Sequence, residues 1–102
     1  MAIKPPSKIE QHGKTWRLAG DVLMDNANFI LQESKALSMG DEFLVDFSAV
    51  GKVDTAALSL MMEWQRRALA SSARVSFANL PLNLSRLVAV YGLTDFMPVS
   101  SA

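Results

Sequence analysis

The sequence predicts a single α/β domain in which helices cover a mixed, mainly parallel β-sheet. The first observation is the order of periodic segments along the chain: strand, strand, helix, strand, helix, strand, helix, strand. The second is the length of 102 residues, which suits one domain and is interrupted by no linker, repeat or low-complexity tract. The third is composition, because half of the residues are hydrophobic and a fifth are charged, as in folded proteins. We expect residues 1–102 to form one domain, with flexible tails at 1–7 and 99–102.

A β-hairpin followed by a helix is predicted for the N-terminal part of the chain. Residues 8–18 alternate as two short strands do, and His12-Gly13 supplies the tight turn between them. From residue 22 to residue 37, apolar side chains recur at three- and four-residue steps, which is the spacing of one helical face. Gly40 provides the stop for this helix.

The middle of the chain predicts the central strand and the longest helix. Residues 42–47 form a compact apolar run, which is typical of a parallel strand buried on both faces. Residues 48–54 are predicted to be a connecting loop, and residues 55–70 a helix rich in Ala, Leu and Met. Because sites in parallel sheets lie beyond the carboxyl ends of the strands, we expect this loop to carry the working surface.

The C-terminal part predicts a further strand, a third helix and a short extended end. Residues 74–78 alternate polar and apolar side chains as a strand does. Pro81 suits the first turn of a helix that runs to about Tyr91, and Gly92 marks its end. Residues 93–98 are expected to be extended.

Several classes of function are excluded by composition. Ten basic and ten acidic side chains cancel, so the chain has no net field to attract nucleic acid or anionic lipid. The absence of Cys removes disulfides and thiol catalysis. His12 is the single histidine and lies far in sequence from any Ser–Asp pair that could complete a triad, and no glycine-rich phosphate loop is present. We therefore expect no catalytic residue, no metal and no cofactor.

The hydropathy of the chain indicates a soluble, cytoplasmic protein. The N-terminus lacks the apolar region of a secretory signal. The most apolar stretch, residues 56–62, is far shorter than the roughly 20 residues that a membrane span needs. No direct membrane insertion is expected.

A family resemblance rests on the segment from residue 45 to residue 58. Here a hydrophobic strand is followed by Asp46-Phe47-Ser48, a short loop, Val-Asp-Thr and small residues that open a helix. This order resembles the pattern of the STAS domain family (sulfate transporter and anti-sigma-factor antagonist), and residues 18–22 and 87–93 add supporting matches. The chain departs from many members at Ala56-Ala57, where they carry Ser or Gly.

The resemblance implies a non-enzymatic binding protein. Within the family, the chain is most similar to the cytoplasmic STAS subunits of ABC transporters that move phospholipid between the membranes of Gram-negative bacteria. This similarity implies an adaptor that binds the transporter's ATPase subunit, supports its assembly and activity, and reaches the inner membrane only through that partner. The alternative is an anti-sigma-factor antagonist whose partner is an anti-sigma factor kinase that phosphorylates Thr55.

The candidate partner-binding site is the strand-to-helix junction Val53-Asp54-Thr55-Ala56. Thr55 either caps the helix or presents its hydroxyl to a partner, and Asp54 is an equally good cap. A phosphate on Thr55 would lie at the positive end of the helix. Asp46 is expected to be hydrogen-bonded to loop N–H groups and to have no catalytic role.

Two apolar stripes follow the junction on the same helix. The first is predicted to face the core and consists of Leu58, Met61, Met62, Gln65 and Leu69. The second contains Leu60, Trp64 and Arg67. The second stripe is either edge packing or an exposed partner patch, since Trp and Arg are enriched in binding hot spots. Our hypothesis extends the docking surface from Thr55 along this second stripe.

Overall fold

One four-stranded sheet organises the protein, whose computed structural model describes residues 7–96. The remaining residues of the two predicted tails, and the last two of the predicted extended end, lie outside that range. The strands follow the order β1-β2-β3-β4 and are β1 (Lys8–His12), β2 (Thr15–Val22), β3 (Glu42–Val53) and β4 (Arg74–Ala78). β1 pairs antiparallel with β2, whereas β3 pairs in parallel with both β2 and β4. The predicted mixed, mainly parallel sheet is confirmed, with β3 in a central position.

Three α-helices accompany the sheet within residues 7–96. They are α1 (Ala27–Ser34), α2 (Thr55–Ala70) and α3 (Leu82–Val90), and a 3-10 turn at Thr94–Phe96 replaces the predicted extended end. The bounds of α2 and β4 agree with the prediction, and Gly92 follows α3 with φ of 68°. That left-handed conformation costs glycine little, which explains why the helix ends there.

The core lies between the helices and one face of the sheet. Phe43, Val45 and Phe47 of β3 are buried, while the alternate residues Leu44 and Asp46 are half-buried. The prediction that this strand is fully buried on both faces is therefore wrong. The indole of Trp16 stacks on Phe43 of the next strand, with ring centroids 4.1 Å apart. This packing joins β2 and β3 in the centre of the core.

The sheet extends further than predicted towards the start of α2. Gly20 pairs with Val50 and Val22 with Val53, so β2 continues to Val22 and β3 to Val53. Val22 is thus the last residue of a strand, not the start of a helix, and the predicted loop at 48–54 is mostly strand. Both errors have the same cause, because the pairing joins segments that are remote in sequence and leaves no local periodic signal.

A polar turn explains why α1 is shorter than predicted. The side chain of Asn26 accepts a hydrogen bond from the Leu23 N–H (2.9 Å), and the Ala27 N–H donates to the Leu23 carbonyl (2.9 Å). These bonds form a turn between β2 and α1, so the helix begins only at Ala27. Ser7, predicted to belong to the flexible tail, is held at the same place. Its hydroxyl donates to the Asp21 carbonyl (2.5 Å) and accepts from the Asn26 amide (2.9 Å).

Candidate partner-binding site

Asp54 is the N-cap of α2 and connects three elements. Its Oδ1 accepts a hydrogen bond from the Ala56 N–H (2.8 Å), and its Oδ2 accepts one from the Met24 N–H (3.0 Å). Its backbone N–H donates to the Val22 carbonyl (3.3 Å). The carboxylate therefore joins the turn before α1 to the first turn of α2, and the backbone N–H joins the same residue to the end of β2. This arrangement decides between the two predicted caps, because Thr55 is the first residue of the helix and Asp54 precedes it.

Thr55 is the exposed residue of the junction. Val53, Asp54 and Ala56 are half-buried, whereas the Thr55 side chain faces solvent. Among the described residues, none forms a hydrogen bond with the Thr55 hydroxyl; its carbonyl oxygen accepts a long bond from the Ser59 hydroxyl (3.4 Å). The hydroxyl is thus available to another molecule, and the Asp54 cap holds the backbone beneath it.

A shallow groove between α1 and α2 begins beside Thr55. This α1–α2 groove has a volume of about 290 Å³. Its lining consists of Met24, Ala27, Asn28, Leu31, Thr55, Ala56, Ser59, Leu60 and Glu63. Apolar side chains form most of this lining, and Glu63 is its one charged residue. The site therefore combines an apolar surface with a free hydroxyl and an acidic rim.

The second stripe of α2 is buried, contrary to the hypothesis of an exposed patch. Leu60 is 4% exposed and Trp64 is fully buried. The Trp64 indole N–H and the Arg67 guanidinium each donate to the Ser34 hydroxyl at 3.0 Å. Together with the 86° edge-on contact between Trp64 and Trp16, these bonds direct the stripe towards α1 and the core. Edge packing accounts for Trp64, and Arg67 is half-buried beside it, while the small exposed part of Leu60 contributes to the lining of the α1–α2 groove.

The first stripe is only partly in the core. Leu58 and Met61 are buried as predicted, but Met62 is 47% exposed and Leu69 is 70% exposed. The reason is that α2 packs against both the sheet and α1, which rotates its buried face towards Leu60 and Trp64.

Ser34 is a site residue whose role sequence reasoning missed. It is fully buried, accepts the two bonds from α2 and donates to the Leu31 carbonyl (2.6 Å). In the sequence it occurs at a core-facing position of the predicted helix, and a serine there is a signal of a buried hydrogen bond. Ser34 holds the end of α1 against α2, while Asp54 holds the turn before α1 against the start of α2.

Asp46 is structural, as predicted, and lies on the face of β3 opposite its buried side chains. Its carboxylate accepts hydrogen bonds from the Ser48 N–H (2.9 Å), the Ser48 hydroxyl (3.1 Å) and the Asn79 amide (2.9 Å). Partial burial raises the pKa of the Asp46 carboxyl, but these hydrogen bonds and the positive charge of Arg17 outweigh it and hold the pKa below its usual value.

A histidine and a second cavity are further features of residues 7–96. His12 is exposed and lies 3.5 Å from a Glu10 carboxylate oxygen. Within residues 7–96, no cluster of three or more His, Cys, Asp or Glu side chains could hold a metal ion. A larger cavity of about 440 Å³ lies at the opposite end of β3, between Lys14, Glu42 and Arg74. None of the helices within residues 7–96 has the length and apolar character needed to cross a membrane.

The fold and the capped junction define a small α/β domain with an exposed hydroxyl at the start of its second helix. A family model described as "Mlab, STAS domain" matches residues 8–99, so the chain belongs to the STAS domain family. Among proteins of curated function, none matches this chain in sequence.

Similar solved structures share the fold at low sequence identity. A protein of Thermotoga maritima described as a candidate anti-sigma factor antagonist has a TM-score of 0.76 at 10% identity, covering 97% of this chain and 86% of its own. The anti-sigma factor antagonist SpoIIAA in its unphosphorylated form has a TM-score of 0.70 at 18% identity, covering 94% of this chain and 89% of its own. The phosphorylated form of SpoIIAA, a Bacillus cell fate determinant, has a TM-score of 0.66 at 18% identity, covering 94% and 92%.

Proposed function

We propose that this protein is a non-catalytic adaptor that binds a partner protein through a docking surface made of Val53, Asp54, Thr55, Ala56 and the α1–α2 groove. The observation that carries the proposal is the exposed, unbonded hydroxyl of Thr55 beside an apolar groove. A hydroxyl at the edge of an apolar surface suits protein recognition, because the surface supplies affinity and the hydroxyl supplies orientation.

The bonds around the docking surface favour binding with little reorganisation. Asp54 fixes the start of α2 to the turn before α1, and Ser34 fixes the end of α1 to the middle of α2. Both walls of the groove are therefore held in place before a partner arrives, which lowers the entropic cost of association.

The first partner class is an anti-sigma factor with kinase activity. The similarity of the fold to SpoIIAA, which has been solved with and without phosphate, supports this class. A phosphate on Thr55 would add about two negative charges to a groove whose charged residue is Glu63. It would meet no Lys or Arg in the groove lining, so it would repel an acidic surface of a docked partner and would lose hydration against an apolar one.

The second partner class is the ATPase subunit of a phospholipid-transporting ABC complex. The description of the matching family model as "Mlab" and the resemblance of the sequence to the STAS subunits of such transporters support it. A groove without cations also suits permanent docking without a phosphate switch. In this case the chain, an MlaB-type subunit, would reach the inner membrane through its partner and contribute to the lipid asymmetry of the outer membrane.

Affinity purification of the tagged chain from its native cells tests the proposal. We expect wild-type protein to retain a partner and Thr55→Arg to lose it, because an arginine would place a long charged side chain over the apolar groove. Thr94→Arg is the matched control, since Thr94 is also exposed but lies in the 3-10 turn after α3. Recovery of the partner by Thr55→Arg at the wild-type level would overturn the proposal, and so would equal loss with Thr94→Arg.

The same purification separates the two partner classes. A co-purifying ABC ATPase with no phosphate on Thr55 supports the transporter adaptor. A co-purifying kinase, together with a phosphate on Thr55 in part of the chain from those cells, supports the anti-sigma-factor antagonist. Identification of the retained protein and mass spectrometry of the peptide that contains Thr55 give both readouts from one sample.

A further inference from the structure

Met24 combines high exposure with a fixed position in the docking surface. It is 77% exposed and contributes to the lining of the α1–α2 groove, next to Thr55 and Ala56. Its backbone N–H donates to Asp54 Oδ2 (3.0 Å), so the backbone of Met24 cannot move away from the start of α2 without breaking this bond. The thioether is thus presented where a partner would contact it.

The other methionines of the described residues are placed differently. Met61 is fully buried and Met39 is half-buried. Met62 is 47% exposed but does not belong to the groove lining. Within residues 7–96, Met24 is therefore the methionine that combines solvent access with a place in the docking surface.

The chemistry of the chain leaves methionine as its most readily oxidised side chain. No Cys is present, so no thiol competes for a peroxide oxidant. In the reaction, the Met24 sulfur attacks one oxygen of hydrogen peroxide, the O–O bond breaks, an S=O bond forms and water leaves. The sulfur loses two electrons and the peroxide gains them. A reductase that uses a dithiol reverses the step, giving the thioether, a disulfide and water.

We propose that Met24 is a redox modification site of the docking surface, and that oxidation of its thioether to the sulfoxide by a peroxide releases the partner. This inference rests on the proposed function, because it requires a partner seated on the α1–α2 groove. The sulfoxide is polar, so a partner that buried it against an apolar surface would have to remove its hydration without an equivalent hydrogen bond. The expected loss of affinity is about tenfold.

The first test needs no partner. Purified protein is treated with hydrogen peroxide, and the sulfoxide content of each methionine-containing peptide is followed by mass spectrometry. We expect Met24 to be oxidised before Met62, and both well before Met61. Oxidation of Met62 at the same rate as Met24 or faster would contradict the assignment of Met24 as the reactive site.

The second test measures binding of the protein that co-purifies with wild-type chain and not with Thr55→Arg. We expect peroxide treatment to weaken partner binding about tenfold for the wild-type chain and for Met62→Leu. The same treatment should change partner binding by Met24→Leu less than about twofold. Met24→Leu preserves apolar character and size but removes the thioether, so the treated form of each variant is compared with its own untreated form. Equal sensitivity of Met24→Leu and wild type, or unchanged binding by oxidised wild type, would overturn the inference.

Failure of the proposed function and failure of the redox inference give different results in these experiments. If the untreated wild-type chain retains no partner, the proposed function fails and the release step fails with it, while the oxidation rates still decide whether Met24 is the reactive thioether. If untreated chain binds and oxidised chain binds equally well, the proposed function stands and only the redox inference is wrong.

Discussion

Asp54 Oδ2 lies 3.0 Å from the backbone nitrogen of Met24, a residue thirty positions earlier in the chain. The other oxygen of the same carboxylate caps α2 through the Ala56 N–H. One side chain thus connects the start of α2 to the turn before α1, and the exposed Thr55 follows it directly. The geometry of the docking surface depends on this connection.

Replacement of Asp54 should therefore lower the free energy of unfolding through the loss of two bonds. We expect Asp54→Ala to cost about 1–3 kcal/mol, because it removes the cap and leaves the Met24 N–H without its acceptor. Asp54→Asn keeps one acceptor oxygen and should cost less. Urea denaturation measures both, with Asp41→Ala as the control, since Asp41 is exposed and its change should stay within about 0.5 kcal/mol. Equal stability of Asp54→Ala and the control would show that the cap contributes little.

The buried hydroxyl of Ser34 provides a second prediction about stability. Ser34→Ala removes the acceptor of Trp64 and Arg67, and a buried indole N–H without a partner is costly. We expect a loss of about 1–3 kcal/mol, against less than about 0.5 kcal/mol for the exposed Ser85→Ala.

A double-mutant cycle isolates the Ser34–Trp64 bond. In the Trp64→Phe background no indole N–H remains to be satisfied, so Ser34→Ala should cost less than in the wild-type chain. The same cost in both backgrounds would mean that this hydrogen bond does not contribute to the effect.

The pKa of Asp46 predicts a dependence of stability on pH. Because folding lowers this pKa below 3.8, the folded state favours the carboxylate. Its contribution is present above the unfolded pKa and is lost as the pH falls through the folded pKa. It should be below about 1 kcal/mol, because the carboxylate is partly solvated.

Two measurements check this dependence. Titration of the Asp46 carboxyl by NMR should give a pKa below 3.8. The difference in free energy of unfolding between wild-type chain and Asp46→Asn should shrink as the pH falls from above the unfolded pKa of Asp46 to below its folded pKa. A measured pKa at or above 3.8 would contradict the prediction.

Substitution of Gly20 by alanine tests whether Ser7 packs against the sheet. The φ of Gly20 is 87°, and a Cβ there would lie 2.9 Å from the Ser7 Cα. Gly13 has a comparable φ of 64° but no atom within 4 Å of such a Cβ. Gly13→Ala should therefore cost about 1 kcal/mol from backbone strain alone, and Gly20→Ala about 1–3 kcal/mol more from the added contact. Equal costs by thermal or urea denaturation would mean that Ser7 does not pack there.

Local signals were sufficient for α2, β4 and the helix start at Asp54-Thr55. Asp54 and Thr55 mark a helix start whatever surrounds them, and the run from Thr55 to Ala70 is rich in helix formers. The alternation in Arg74–Ala78 likewise needs no partner to be recognised. The residues that form the junction could therefore be found without a structure.

Long-range contacts account for the features that prediction missed. β2 and β3 extend to Val22 and Val53 because these residues pair with each other, and Leu60 and Trp64 are buried because α1 covers them. The periodic pattern of a sequence indicates which side of a helix is apolar. It does not indicate which neighbouring element packs on that side.

The amino-acid pattern alone determined the α/β class and the helix that starts at Thr55, since both rest on local chemistry or composition. Folding established which oxygen of Asp54 meets Met24, which stripe of α2 faces α1, and that the exposed part of the site is Thr55 with the α1–α2 groove. These features depend on contacts between segments about thirty residues apart, and such contacts exist only once the chain has folded.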